Sequence, residues 1–402
     1  MAKPTDAPDL PLDFPFVRLR DAKVQAFTAP IVDFPVGFRG GPVLGDRHSE
    51  FRHLRAWRPY DRPDDRADYD ERLSGSFTYA GPLYDHFGHF ISEMVHRILP
   101  GRAQGLPSRL LFVTARGHSV HRNWAGLPPH VRSVLEFLDV GEEDIVVLDQ
   151  NAIVDDLFVP RQGAVLNGPP TEAYLDLLRT HSTRRLDRMF GDRPRPERIY
   201  VSRSALGVPG GILGERYLEH QFAREGFTIF RPEEHSYPEQ IDHYRKAETV
   251  VFAEGSACHG AELLGRGMMG NTVLVPRTGC QTPLFVPVLQ PRSRRFSVLS
   301  ASHYLGTLFA DPATKAPLFH RGVALVDSRT IADELAGLGA ASFASFSHRR
   351  YAAHAARDFV RCLISERRER WDRVEASRLL RRFGASFVRS LQRAKPAGKL
   401  AR

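Results

Sequence analysis

Residues 247–277 read AETVVFAEGSACHGAELLGRGMMGNTVLVPR. The apolar run Thr249–Ala253 ends in Glu254-Gly255-Ser256, a stretch of helical character follows near Ala261–Arg266, and a second apolar run, Thr272–Pro276, completes the unit. Strand, turn, helix, strand is the repeat of an open parallel sheet, in which ligands sit beyond the carboxyl ends of the strands. Gly255 and Ser256 allow close backbone approach, and the free amides at a helix start attract phosphate. The same turn chemistry is common where nothing binds.

Outward from this stretch the alternation continues. Strands are expected at Leu110–Thr114, Ile145–Leu148, Leu157–Pro160, Ile199–Ser202 and Thr228–Phe230. Helices are expected near Phe90–Leu99, His130–Leu138, Thr171–Phe190, Glu215–Glu225 and Pro238–Ala247. Gly191–Pro196 (GDRPRP) breaks the pattern most strongly and places a domain boundary there, giving domains 1–192 and 193–330 followed by a helical segment, 331–402. Residues 277–330 have weak periodicity and no evident role.

With 402 residues, 42% of them hydrophobic, the chain has room for two cores. Its first twenty residues carry Asp6, Asp9 and Asp13 and no apolar stretch of signal-peptide length, and no run of about twenty apolar residues occurs elsewhere. Cys258, Cys280 and Cys362 form no metal or disulfide pattern, so a cytoplasmic setting is expected. The net charge of +9 is not spread evenly: residues 349–402 hold 16 Lys and Arg against 5 Asp and Glu, leaving 40 against 42 for the rest. The excess lies in an amphipathic helix with Leu379, Leu380, Phe383, Phe387, Val388 and Leu391 interleaved with Arg378, Arg381, Arg382, Arg389 and Arg393. Such a helix either touches anionic lipid peripherally or packs on the body with its arginines in water. The arginines are not interleaved with stacking aromatics as in single-strand binders, and a nucleic-acid partner is not expected.

Two further stretches carry a pattern. Ile199, Tyr200 and Arg203 are followed by Glu215, then Gly226, Phe227, Pro232 and Glu233, then Gln240, then Gly255 and Ser256; upstream, YDHFGHFISEMVHRILP contains His89, Phe90, Glu93 and Arg97. In order and spacing, both resemble glycosyltransferase family 61, over about residues 75–277. His86 stands where members often have Asn, and Gly255-Ser256-Ala257-Cys258-His259-Gly260 replaces the common Gly-Ala-x-Leu-Thr-Asn loop, a version associated with the bacterial capsular polysaccharide branch.

The resemblance implies a GT-B-like α/β fold, two Rossmann-type domains facing a cleft. It also implies an inverting transfer of sugar from a nucleotide donor, UDP-sugar being the expected one, to a saccharide or lipid-linked glycan. Such a transfer needs a base for the acceptor hydroxyl and positive groups for the leaving diphosphate. His89 and Glu93 share one face of a helix. His89 is assigned as the base with Glu93 orienting it, while Glu93 as the base and His86 as a substitute stay open. The ordinary alternative is a Glu93–Arg97 helix pair. On the donor side Arg203 would hold the diphosphate, His259 a phosphate or the donor sugar, Glu254 and Glu233 the ribose or base, with Gly255 and Ser256 forming the turn. His86, His89 and Glu93 also have the spacing of a metal clamp. However, the acidic pairs Asp64-Asp65 and Asp155-Asp156 are poorly placed for a metal-dependent transferase, so neither metal nor cofactor is expected. A non-catalytic protein of the same fold that binds sugar nucleotides or polysaccharide is the other reading.

Overall fold

The computed structural model describes residues 14–27, 37–64, 66–115, 123–206, 210–280, 282–365 and 371–392; Asp6, Asp9, Asp13, Asp65, Arg393 and the side chains of Arg389 and Leu391 lie outside the described set. The chain is mixed α/β and forms two compact units. One gathers Met1–Asp192 with Ser236–Asp242 and His259–Met268; the other gathers Arg193–His235, His243–Cys258 and Met269–Arg402.

The first unit is built on six strands: β1 (Phe16–Gln25), β2 (Gly41–Pro42), β3 (Glu71–Leu83), β4 (Leu110–Thr114), β5 (Ile145–Leu148) and β6 (Ala152–Pro160), in spatial order β2-β1-β6-β3-β4-β5. β6, β3, β4 and β5 pair in parallel, but β1 runs antiparallel to both its neighbours. This sheet is therefore mixed, a departure from the all-parallel Rossmann layout. In β1 Arg18 and Arg20, in the first half, are exposed while Ala22 and Val24 in the second half are buried. In the parallel part, the direction of strand addition reverses between β3 and β6, which makes their carboxyl ends a switch point. Helices α1 (Pro129–Phe137) and α2 (Glu172–Phe190) belong to this unit. Thr171 accepts a hydrogen bond from the Tyr174 amide to start α2, and Gly191, at φ 53°, ends it.

The second unit carries β7 (Arg198–Val201), β8 (Gly211–Ile212), β9 (Thr228–Phe230), β10 (Thr249–Ala253), β11 (Met269–Val275), β12 (Ser293–Val298), β13 (Ser302–Gly306) and β14 (Val323–Val326). β9-β7-β10-β11-β12 form a fully parallel sheet, and β8-β14-β13 a small second one. Numbered within its own sheet, the order is 2-1-3-4-5, a doubly wound order whose switch point falls between β7 and β10. Helix α3 (Glu215–Arg224) buries Tyr217, Leu218 and Phe222 against Tyr200, Val251 and Val273. Residues 277–330, opaque in the sequence, supply three of the strands.

Helices α4 (Tyr237–Lys246), α5 (Thr282–Leu289), α6 (His348–Ser365) and α7 (Arg373–Gln392) complete the long elements. α6 and α7 are tied to the second unit's core: Ala355, Phe359, Cys362, Ala376 and Leu379 are buried with Leu213, Leu305 and Val323. Each fully buried Leu, Val or Phe among them contributes about 1.5–3 kcal/mol. Among the described residues no helix is long and apolar enough to cross a membrane.

Candidate active site

Beyond the carboxyl end of β3 the expected helix Phe90–Leu99 is not continuous. An α-turn, Phe87–His89, passes into a π-helical stretch, Phe90–Met94, and a new helix begins at Ile98. A π-turn adds a residue to the helical ring and is frequent at functional sites. Here Glu93 faces inward, fully buried, while Arg97 donates instead to the carbonyls of Phe51 and Arg52, both at 2.8 Å. The Glu93–Arg97 pair suggested by spacing is thus replaced.

Glu93 is held from three directions. Arg55 donates to both carboxylate oxygens (2.6 and 3.0 Å), His53 Nε2 lies 3.2 Å away and His89 Nδ1 2.6 Å. Burial pushes the Glu93 carboxyl up, yet the hydrogen bonds from His53 and His89 and the charge of Arg55 overcome it and hold the group well below its ordinary range. Burial pushes His53 down, so it acts as a neutral donor. Arg55 lies over the rings of Tyr60 (4.2 Å) and Phe38 (5.0 Å). It comes from a short hairpin, Leu54–Arg55 with Arg58–Pro59, whose turn residues Ala56 and Trp57 both have positive φ (48° and 59°). Neither side chain favours that region. From the end of β6, Gln162 accepts from the Leu54 amide (2.7 Å) and donates to the Glu93 carbonyl (3.2 Å). His53, Arg55 and Gln162 were missed by the sequence reading; only the alternation of His53 and Arg55, on one side of a strand, hinted at a shared target.

The chemical result is at His89. A carboxylate held ionised accepts from Nδ1–H, which fixes the tautomer and leaves Nε2 as the proton acceptor. The His89 side chain is 35% exposed, and its Nε2 meets no hydrogen-bonding partner among the described residues. His86 packs edge-on to His89, ring centroids 5.3 Å apart. Burial, then the neighbouring His89, His259 and His130, push His86 down. His259 belongs to this group: a Cβ on Gly88 would lie 3.2 Å from His86 and 3.4 Å from His259. Its Nδ1 is 3.2 Å from Glu262. The metal clamp suggested by the spacing of His86, His89 and Glu93 is not formed, because Glu93 is turned away onto arginine. Among the described residues no three His, Cys, Asp or Glu converge to hold an ion.

The second unit places the other candidates at the switch point. Arg203 follows β7, and Glu254, Gly255 and Ser256 follow β10. The Arg203 guanidinium packs against Gly255, where any Cβ would overlap it. Arg203 Nε is buried without a hydrogen bond. The Arg203 amide donates to Glu215 (2.8 Å), and Ser202 and Ser204 donate to Glu219 (2.6 and 2.7 Å). Arg203 opens onto a cavity of about 320 Å³ also lined by Ser204, Glu215, Arg216, Asp358 and Arg361. Arg216, Asp358 and Arg361 went unnoticed in the sequence; no local pattern links α6 to a strand 150 residues earlier.

Glu254 is fully buried and accepts from the Thr278 amide and hydroxyl (3.0 and 2.6 Å) and from Thr282 (2.5 Å), so it organises the turn after β11. Glu233 stands exposed on a 3-10 turn, Pro232–Glu234. The helix expected at Ala261–Arg266 is a 3-10 segment, Ser256–Leu263, that starts directly at the turn.

Comparison with family profiles matches residues 87–273 to Glycosyltransferase 61. This region, a little under half of the chain, is thus similar to glycosyltransferase family 61. It begins at the α-turn of His89 and ends in β11, so it takes in the base candidate, Arg203 and the Gly255 turn, and leaves out Arg55 and α6. The family supports a glycosyltransferase, with a donor sugar and an acceptor as substrates. A search of curated proteins finds none that matches the chain.

Proposed function

We propose that this chain is a metal-independent, inverting glycosyltransferase of the GT-B type, acting in the cytoplasm on a nucleotide sugar, a UDP-sugar being the expected donor. Its acceptor is a saccharide or lipid-linked glycan of surface or capsular polysaccharide synthesis. The observation that carries this reading is the contact between His89 Nδ1 and the clamped Glu93 carboxylate.

In this mechanism His89 Nε2 takes the proton of an acceptor hydroxyl while its oxygen bonds to the anomeric carbon. The bond from that carbon to the phosphate oxygen breaks, and the nucleotide leaves with the electron pair. Glu93 stays ionised and stabilises the imidazolium that forms, as a positioning residue. Arg203, with the turn amides after Gly255, holds the charge developing on the diphosphate. Arg216 and Arg361 add positive charge to the same cavity. The first unit supplies the base and the second binds the donor.

The test has two stages. UDP, GDP and CMP are first compared for thermal stabilisation of the full chain, where a ligand at a hundred times its Kd contributes about 2.7 kcal/mol. With the nucleotide known, His89→Ala should lower kcat by about 10²- to 10⁴-fold and leave donor Kd unchanged. Gly255→Ala should weaken the nucleotide by displacing Arg203. Wild-type turnover in His89→Ala removes the base assignment; stabilisation by a nucleotide without turnover on any glycan acceptor favours a binding protein.

A further inference from the structure

α6 and α7 bury one side each and pack on one another through Phe359 and Phe383, whose rings stack with centroids 3.8 Å apart. Their outer sides are not the polar faces expected of solvated helices. Val360 and Ile364 on α6 are 51% and 78% exposed, and Val374, Leu380 and Val388 on α7 are 56%, 45% and 48% exposed. These are five of the eleven large apolar side chains that stand exposed among the described residues, in two helices of 18 and 20 residues that make up about one tenth of the chain.

Arginines bracket them. On α6, Ala353, Arg357, Val360, Arg361 and Ile364 are all exposed and recur at helical spacing, which makes one stripe of alternating cation and hydrocarbon. On α7, Arg378, Leu380, Arg381, Gly384 and Val388 are exposed likewise. Two of the acids pair with arginines of this face, Glu375 with Arg378 (2.5 Å) and Asp358 with Arg361 (3.7 Å), while Asp358 also accepts from the Gly214 amide (2.8 Å). Arg357 and Arg381 are exposed and have no acidic partner among the described residues. Asp372, at the start of α7, accepts from the amides of Val374 and Glu375 (3.0 and 3.1 Å).

We infer that this outer face of α6 and α7 docks on an anionic lipid bilayer, with Val360, Ile364, Leu380 and Val388 at the acyl boundary and Arg357 and Arg381 among the headgroups. Charge complementarity chooses the occupant. A basic surface with few cations and many apolar side chains fits a protein, one with arginines alone fits a polyanion, and the interleaving of both fits the interface of an acidic membrane. The segment lies outside the family-matched region, and the inference is independent of the proposed reaction.

The full chain is sedimented with vesicles of phosphatidylcholine alone and of phosphatidylcholine with phosphatidylglycerol. Binding is expected only with the acidic vesicles. Arg357→Gln with Arg381→Gln should weaken it by roughly 30-fold, each basic residue near the surface being worth about fivefold. The combination Val360→Ser, Ile364→Ser, Leu380→Ser and Val388→Ser should weaken it by about tenfold or more, at low and high salt alike. All six positions are exposed, so unchanged circular dichroism and Tm are required of each variant. Equal sedimentation with neutral and acidic vesicles, or none with either, overturns the inference. Salt-labile binding that the serine variants leave untouched, and that RNA or heparin reproduces, reduces the face to a polyanion site. Self-association of the wild type in solution, abolished by the serine variants while vesicles bind neither, assigns it to a protein contact instead.

Discussion

The clamp around Glu93 gives a direct measurement of how far the site is preorganised. The perturbation is Arg55→Ala and Glu93→Ala, singly and together, in a Trp371→Phe background; Trp57 and Trp124 then report on the first unit alone, since Trp371 is the only tryptophan of the second. Removing Arg55 leaves a buried carboxylate facing two imidazole donors, and breaking a buried pair from one side costs about 3–5 kcal/mol. Removing Glu93 strands a guanidinium that keeps the rings of Tyr60 and Phe38 and is 12% exposed, which places its cost near the lower end of that range. The double variant carries neither charge. Its loss should be close to that of Arg55→Ala, which corresponds to a coupling of about 3 kcal/mol, the size of the Glu93→Ala loss. Urea unfolding followed by fluorescence supplies the three values, with constant slope as the control. Additive losses, or single losses under about 1 kcal/mol, refute the clamp. The sign in acid is fixed as well: because the folded Glu93 carboxyl is held below its ordinary 4.5, its stabilisation is complete above that pH and disappears as pH falls through the lowered value. The deficit of Glu93→Ala at pH 7 therefore shrinks under acid conditions.

Other consequences are open to simple assays. Burial pushes His181 down to about 4 even though its ring hydrogen-bonds the Phe137 carbonyl (2.9 Å); the neutral form supports the fold above 6.5, and about 3 kcal/mol should be lost as pH falls towards 4. His181→Gln should flatten that profile in urea titrations, and an unchanged slope refutes the assignment. Ala56→Gly relieves a left-handed backbone worth about 1–2 kcal/mol, less the added chain entropy of glycine, and should raise the urea midpoint of the first unit. A lower midpoint contradicts it. Under native conditions a disulfide reagent should titrate Cys280 alone, because Cys362 is buried and burial pushes the Cys258 thiol up to about 12. A second fast thiol counts against that packing.

How much of this was legible in the sequence depends on whether the controlling interactions are local. The strands at Leu110–Thr114, Ile145–Leu148, Thr228–Phe230 and Thr249–Ala253 are found where their apolar runs end. β1 and the first half of β3 escaped, because they face solvent and carry charge or Gly75 where a periodic apolar signal is needed. The π-turn at Phe90–Met94 left no trace, since its cause is Glu93 being drawn towards Arg55, nearly forty residues away. His89 and Glu93 could be paired because four residues separate them on one turn. His53 and Arg55 reach that carboxylate, and Gln162 the Glu93 carbonyl, from distant parts of the chain, and Arg361 reaches the Arg203 cavity from α6; only the folded chain brings them there.

The first unit borrows Ser236–Asp242 and His259–Met268 from beyond the second unit's opening strands. Tyr237 is tied in at both ends: its amide donates to Ser133 (3.2 Å), its hydroxyl donates to the Gly260 carbonyl (3.1 Å), and Ser182 donates to the Leu263 carbonyl. A ribosome delivers these partners late. At about 5–20 residues per second, the 76 residues from Asp192 to Met268 take about 4–15 s to emerge. During that interval the earlier polypeptide waits with Ser133 and Ser182 unmet and the place of His259 empty. Biosynthesis thus imposes an order in which the first unit is complete only once Met268 has emerged, after the opening strands of the second, while the second waits for residues up to Arg402.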